Sequence, residues 1–154
     1  MFNGEESVKF HESFFCDSCD VPVQQLVQNA AARLLTGKKK RDHITPILAS
    51  LHWLPVRYRI DFKMLLFVFK AQHGLAPRYL CELIEPYVPP RPLRSANLLL
   101  LTDPGAKLRT RGHRAFAVAG PNMWNSLPFH IRAAQSLGVF KTLLKTHLFS
   151  LAFN

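Results

Sequence analysis

Basic side chains are the residues of this sequence whose type and spacing suggest a chemistry. Four of them form one uninterrupted run: Lys38, Lys39, Lys40 and Arg41. Arg59, Lys63 and Lys70 fall within roughly 40° of one another if the segment is helical, so they share one face. Such clusters are typical of surfaces that follow nucleic-acid phosphates, and a short basic run is also compatible with nuclear import. The alternative is the solvated face of an ordinary basic domain.

Further bases alternate along the chain after residue 105, namely Lys107, Arg109 and Arg111. Alternation places side chains on one face of a strand, from which they could track a sugar-phosphate backbone. Trp53 and Trp124 lie beside prolines, where each could stack on a base or fill the edge of a core. The nucleic-acid-binding residues that we predict are Lys38, Lys39, Lys40, Arg41, Arg59, Lys63, Lys107, Arg109 and Arg111.

The sequence offers no catalytic residues that we can name. Polymerases and nucleases that use two metal ions need clustered carboxylates, and no Asp-Asp pair occurs in this chain. Glu82 and Glu85 share one short predicted helix, where a solvated face is the simpler interpretation. A phosphate-binding Walker loop and the G-x-G-x-x-G and G-x-S-x-G motifs are absent. A Ser/His/Asp triad stays open, since its members need not be close in sequence.

Cysteines point to the compartment rather than to a metal. Cys16 and Cys19 form a C-x-x-C pair, but no second pair or spaced histidines complete the four ligands that zinc requires. We therefore predict no metal and no cofactor. The odd count of three cysteines fits a reducing compartment. No secretory signal is present, and the longest apolar run has six residues, against about 20 for a membrane span. We expect an intracellular protein, nuclear or cytoplasmic, that neither is secreted nor crosses a membrane.

Charge divides the 154 residues into two parts. Residues 1–20 carry five acids and one lysine, a net charge of −4, and show no helical or strand periodicity. Residues 21–154 carry 19 bases and five acids, a net charge of +14. We expect an acidic, poorly ordered tail over residues 1–20 and one basic domain over residues 21–154. A strongly basic balance favours phosphate-rich partners or anionic membrane surfaces and does not determine the fold.

Helical periodicity recurs through most of the basic domain. Apolar residues at spacings of three and four predict a helix over residues 23–35, ended by Gly37. Further helices are predicted over residues 45–51, over 56–73 with Gly74 as the stop, and over 77–84. A last helix follows Ser136, a plausible N-cap, with Lys141 and Lys145 opposite its apolar face.

Proline and glycine predict the irregular parts. Four prolines make residues 86–92 an extended strap that cannot be helical. Asp103, Pro104 and Gly105 have turn chemistry and could join residues 98–101 to 107–110 in a short hairpin. Residues 114–119 are ambiguous between strand and helix. Gly120 and Pro121 predict a break in regular structure beside the stretch around Trp124.

An ordered series of segments resembles the region after the polymerase domain of vertebrate non-LTR (LINE-type) retrotransposon reverse transcriptases. The segments are QLVQNAAARLLT (25–36), HITP (43–46), LHWLP (51–55), RI (59–60), FKAQHGLAP (69–77), LRS (93–95), RAF (114–116), WNSLP (124–128), FK (140–141) and KTHLF (145–149). Together they cover about residues 23–153. Gly120-Pro-Asn-Met is a mild departure, since the family more usually has Ala-Pro-x-Leu there. Residues 1–20 do not resemble the family.

The resemblance implies a C-terminal piece of an RNA-directed DNA polymerase, without its catalysis. The active site of the family is a Phe/Tyr-x-Asp-Asp motif with a further metal-binding Asp, and no residue here matches either. In the intact protein such a segment would help to hold template RNA or the primer duplex, and it could contact the missing polymerase domain.

We therefore expect a mainly α protein, a small helical domain with a proline-rich strap and room for one short β-hairpin. Its expected role is that of a truncated, catalytically inert reverse-transcriptase fragment that contacts RNA or DNA backbone. The alternatives are a non-enzymatic helical module that docks on other proteins, or a decaying open reading frame with no cellular role. The oligomeric state does not follow from the sequence.

Overall fold

The computed structural model describes residues 21–89, 91, 98–105 and 115–154. These residues form helices joined by turns and loops and contain no β-strand, which confirms the mainly α prediction. Within the same residues, no helix combines the length and the apolar character needed to cross a membrane.

The helices of the described residues are numbered here in chain order. They are α1 (Val21–Thr36), α2 (Ile44–Ser50), α3 (Val56–Gln72), α4 (Arg78–Cys81), α5 (Phe116–Ser126), α6 (Phe129–Arg132) and α7 (Leu137–Phe153). The predicted bounds of α1, α2 and α3 hold to within two residues. Helix α4 is shorter than predicted, and α7 begins after Ser136, whose Oγ accepts a hydrogen bond from the Val139 amide as an N-cap does.

Glycine ends α1 and α3 as predicted, and the hydrogen bonds show how. Gly37 has φ 65° and Gly74 has φ 66°, the left-handed conformation that glycine adopts without a steric penalty. The Lys38 amide donates to the Arg33 carbonyl at 3.1 Å, and the Leu75 amide donates to the Lys70 carbonyl at 2.8 Å. Each bond spans the glycine and satisfies a carbonyl that the helix leaves free, which is the Schellman motif.

Helix α2 ends in the same motif without a glycine. His52 takes the left-handed position with φ 54°, and the Trp53 amide donates to the Leu48 carbonyl at 2.9 Å. A residue with a Cβ is strained in this conformation, at a cost of roughly 1–2 kcal/mol. The strain at His52 is therefore offset by the surrounding contacts.

The predicted hairpin is only partly testable, because residues 107–110 lie outside the described part of the chain. The turn chemistry is confirmed: Gly105 has φ 67°, and its amide donates to Asp103 Oδ1 at 2.9 Å. Leu101 pairs in an antiparallel bridge with Pro86 of the strap. The pairing partner that the structure gives to Leu101 thus precedes it in the chain. The described strap residues, 86–89 and 91, are not helical.

Gly120 and Pro121 were predicted to break the regular structure beside the stretch around Trp124, and this prediction was wrong: both lie inside α5. A Cβ built on Gly120 would stand 2.9 Å from Val68 Cγ2 and 3.4 Å from Ile84 Cδ1. The glycine is thus required for close packing of α5, and burial of Pro121 in the core outweighs the helix hydrogen bond that proline cannot make. The ambiguity over residues 114–119 resolves as helix from Phe116 onward.

The described residues divide into two compact units. The first, which we call the aromatic unit, takes its described residues from 64–141. Its core holds three rings: Phe69 stacks on Phe140 with centroids 4.4 Å apart, and Trp124 lies 5.7 Å from Phe140. Trp124 is 1% exposed, and its Nε1 donates to the Leu99 carbonyl at 2.8 Å. Trp124 is therefore a core residue with a satisfied polar atom.

The second, which we call the groove unit, takes its described residues from 21–63 and 142–154. One buried cluster of this unit consists of Ala32, Ile47 and Leu48, with partly buried neighbours that include Trp53 and Phe153. Leu54, Val56, Leu144 and Leu148 of the same unit are buried as well. The unit is further joined by a hydrogen bond of 3.1 Å from the Tyr58 hydroxyl to the Leu151 carbonyl. Much of the apolar face of α1 is left outside this cluster.

Candidate nucleic-acid interface

A groove of about 820 Å³ opens on the groove unit. Helix α1 supplies one part of its lining, the loop between α2 and α3 a second part, and the first turns of α3 a third. The lining residues are Val23, Gln24, Val27, Gln28, Ala31, His52, Trp53, Leu54, Val56, Arg59, Ile60, Lys63 and Lys145. The groove thus combines an aliphatic wall with three cationic side chains.

The cations of the groove come from two helices. Arg59 and Lys63 lie one turn apart on α3, and Lys145 comes from α7. All three residues are exposed, and no acidic residue is among the lining residues. Like charges lining one concave surface raise the local potential and attract anions. An extended polyanion such as a nucleic-acid backbone could contact all three.

Two glutamines of α1 form hydrogen bonds with backbone groups of Leu54 and Val56, which line the groove. Gln25 accepts a hydrogen bond from the Val56 amide at 2.8 Å, which satisfies a free N–H at the start of α3. Gln28 is 9% exposed and donates through Nε2 to the Leu54 carbonyl at 2.9 Å. Gln28 Oε1 is buried and has no hydrogen-bond partner among the described residues.

His52 and Trp53 bring rings to the groove. The His52 ring stacks on Phe149 with centroids 5.7 Å apart and an interplanar angle of 21°. Trp53 is half-buried and lines the groove, whereas Trp124 is 1% exposed.

The basic run Lys38, Lys39, Lys40 and Arg41 forms an exposed loop after α1. Asp42 organises this loop: its Oδ2 accepts a hydrogen bond from the Lys39 amide at 2.8 Å. The Arg33 guanidinium reaches the Asp42 carbonyl at 3.4 Å. The bonds to Asp42 use backbone groups of the loop, which leaves the four basic side chains exposed to solvent for contact with an anion.

The structure brings only some of the predicted binding residues together. Arg59 and Lys63 meet in the groove, whereas Lys70 of the same predicted stripe belongs to the aromatic unit, with its Nζ 5.9 Å from the Phe67 ring centroid. Lys107, Arg109 and Arg111 lie outside the described residues. Lys145 was predicted only to oppose the apolar face of its helix, and its place beside α3 residues far away in sequence depends on tertiary structure.

A buried carboxyl group, that of Asp61, lies on α3 outside the groove lining. Asp61 is 2% exposed, and its Oδ2 has no hydrogen-bond partner within the described part of the chain. Burial raises the pKa of Asp61 from 3.8 to about 6, and the positive charge of Arg57 opposes part of that rise. Across the described residues, no group of three or more His, Cys, Asp or Glu side chains could hold a metal ion. Cys16 and Cys19 lie outside those residues.

Comparison of the chain with protein-family models, with curated proteins and with solved structures finds no match in any of the three. The arrangement of side chains therefore carries the functional argument. That arrangement is a concave surface lined by three cationic and several aliphatic side chains.

Proposed function

We propose that this chain is a catalytically inert segment, similar to the C-terminal region of a LINE-type reverse transcriptase, that binds the backbone of RNA or DNA. The observation that carries the proposal is the meeting of Arg59, Lys63 and Lys145 in one groove free of acidic side chains. The exposed loop with Lys38, Lys39, Lys40 and Arg41 adds four further cations on the same unit. Such a protein would work inside the cell, where its ligand is.

Phosphate binding has a signature that apolar docking lacks. Each phosphate that a cation neutralises releases condensed counterions, so the affinity falls steeply as salt rises. Three contacts in the groove correspond to a slope in log K against log salt of about −2 for a single strand and about −3 for a duplex. Contacts made by the basic loop would steepen it further.

The test is binding of the full chain to labelled single-stranded RNA and to duplex at two or more salt concentrations. The triple variant Arg59→Ala, Lys63→Ala, Lys145→Ala should bind more weakly, with its salt slope reduced by about 2 for single-stranded RNA. A charge-matched control, Arg78→Ala, Arg91→Ala, Lys141→Ala, changes three exposed cations that do not line the groove. Equal losses in both triple variants would contradict the groove as the site, and no binding at low salt would contradict the function.

Neutralising Lys38, Lys39, Lys40 and Arg41 tests the loop separately.

With Mg²⁺ and a primed RNA template, the chain should extend no primer, since the carboxylates needed to hold two metal ions have no counterpart in this sequence. Primer extension by the purified chain would overturn the inert assignment.

One observation favours protein docking as a second candidate function. Helix α1 exposes five large aliphatic side chains, namely Val23, Leu26, Val27, Leu34 and Leu35. Clusters of exposed apolar residues commonly mark contact surfaces for other proteins, among them the polymerase domain that the resemblance implies. Docking through this face would change little with salt, which separates it from phosphate binding.

A further inference from the structure

The aliphatic wall of the groove is the part of the site that backbone binding leaves unexplained. Helix α1 contributes Val23, Val27 and Ala31 to this wall, and the two valines are 61% and 66% exposed. Phosphates contact cations and leave aliphatic side chains in water, which is unfavourable. The groove therefore suits a ligand that carries both negative charge and apolar surface.

Trp53 adds an aromatic residue to the same surface. It lines the groove and also packs against the buried cluster of Ala32, Ile47 and Leu48, which fixes its position beside the groove. All of the lining residues belong to the groove unit, so the site is complete within one compact unit. Proteins that hold single-stranded nucleic acid combine these parts: cations follow the backbone, and bases stack on aromatic side chains.

The volume of the groove favours unpaired nucleotides over a duplex. About 820 Å³ lies within the range of about 300–1,000 Å³ that small-molecule sites occupy, which is room for roughly one or two nucleotides. The bases of a duplex are stacked on each other and paired, whereas the bases of a single strand can turn their faces to a protein. A duplex would meet the cations and leave the aliphatic wall uncovered.

We propose that the groove binds an unpaired strand of RNA or DNA and prefers it to a duplex. One base stacks on Trp53, a neighbouring base covers the aliphatic wall of α1, and the phosphates contact the three cations of the groove. The inference rests on the proposed function, since it assigns the strand state of the nucleic acid that the groove binds. The phosphates provide affinity for either form, and the base contacts provide the preference.

The first experiment uses the full chain and two short DNA strands of equal length and charge. One is oligothymidylate, and the other has the same backbone without bases. The intact strand should bind about tenfold more tightly, because the abasic strand lacks the stacked base. Both should show a similar salt slope, because both offer the same phosphates.

The outcomes of this comparison separate the two proposals. Equal affinities that both fall with salt would overturn the base contacts and leave the proposed function standing, with the aliphatic wall free for a protein ligand. No binding of either strand at low salt would contradict the proposed function and the preference together.

Tryptophan fluorescence locates the base. Trp124 is 1% exposed, so changes on binding report chiefly on Trp53. The intact strand should quench the fluorescence and the abasic strand should not. Trp53→Phe should lose the quenching while keeping an aromatic ring for stacking. Quenching that persists in this variant would overturn the placement of the base on Trp53.

Two further variants test the wall and the ring by their effect on affinity. Val27→Ser should weaken binding of the intact strand severalfold and leave the abasic strand unchanged. Leu34→Ser is the control, since Leu34 is exposed on the same helix and does not line the groove. Equal effects of the two substitutions would overturn the role of the wall.

A duplex of the same length, used as an unlabelled competitor, measures the preference itself. At about 0.15 M salt it should displace the labelled strand only at about tenfold higher concentration than unlabelled strand does. Trp53→Leu should reduce this ratio, because it removes the ring and keeps an apolar side chain. A duplex that competes as well as the strand in the parent protein would overturn the inference.

Discussion

The aromatic unit and the groove unit use their apolar residues in opposite ways. In the aromatic unit Phe69, Trp124 and Phe140 stack within a core and are almost wholly buried. In the groove unit the helix α1 exposes most of its large aliphatic side chains to solvent, although aliphatic residues of α2, α3 and α7 are buried. The first pattern provides stability, whereas the second leaves apolar surface available for binding.

The two units also differ in whether the buried polar atoms described here have hydrogen-bond partners, with one exception. In the aromatic unit the Asn125 amide donates to and accepts from the backbone of Leu101, each at 2.9 Å. In the groove unit Gln28 Oε1 and Asp61 Oδ2 are buried without a partner in the described residues. The exception is Arg132 of the aromatic unit, whose Nε and Nη1 are likewise unpaired there and whose pKa is lowered by burial.

The largest expected effect tests the aromatic core. Phe140→Ala should lower the free energy of unfolding by about 3–5 kcal/mol, because it removes a ring that is 0% exposed and leaves a cavity. Leu34→Ala in the groove unit is the control, and since Leu34 is 84% exposed its loss should stay within about 0.5 kcal/mol. Denaturant unfolding of both variants measures the difference. Similar losses would contradict the contrast between the two units.

Asp61 should make stability depend on pH. The pKa of the Asp61 carboxyl is 3.8 when the group is free and about 6 in the folded protein, so the native state binds the proton more tightly. The contribution of Asp61 to stability is therefore largest below pH 4, falls as pH rises through its folded pKa, and has decreased by about 3 kcal/mol at pH 7. Asp61→Asn should remove this fall and unfold at higher denaturant concentration than the parent at pH 7.

Arg57→Met sharpens the same measurement. Because the Arg57 charge lowers the pKa of Asp61, its removal should raise that pKa further and enlarge the loss of stability above pH 6. Denaturant midpoints between pH 4 and 8 report both variants. A stability difference between the parent and Asp61→Asn that stays constant over this range would contradict a raised pKa for Asp61.

The smallest expected effect concerns the end of α2. Gly74 and His52 occupy the same left-handed position after their helices, one in each unit. His52→Gly should be more stable than His52→Ala by about 1 kcal/mol, since both lose the ring and only alanine keeps the strain. Differential scanning calorimetry resolves this pair. Equal melting temperatures would mean that the backbone at residue 52 is relaxed.

Local patterns were sufficient to predict most of the helices. The spacing of apolar residues and the positions of Gly37 and Gly74 predicted α1 and α3. Helix periodicity and helix ends depend on residues that are close in sequence, so a local pattern is enough to predict them. The interior of α5 was mispredicted because the close approach of Gly120 to Val68 depends on tertiary packing. Ser136 was identified correctly as the N-cap of α7.

The site was less predictable than the fold. Arg59 and Lys63 followed from helical phase, but Lys145 joins them only through packing between segments some 80 residues apart in sequence. The roles of Gln25 and Gln28 could not be anticipated, because a glutamine on an apolar helix carries no mark of the backbone atom it will bind. The apolar pattern of α1 predicted its helix, yet a pattern does not state whether the apolar face is covered.

The uncovered face of α1 also bears on how long the protein survives in a cell. Chaperones and proteases recognise exposed aliphatic side chains as a sign of incomplete folding, and degradation follows the population that presents them. A chain with an empty groove would be removed sooner than one with an occupied groove. Occupancy of the groove would in this way set the abundance of the protein as well as its binding.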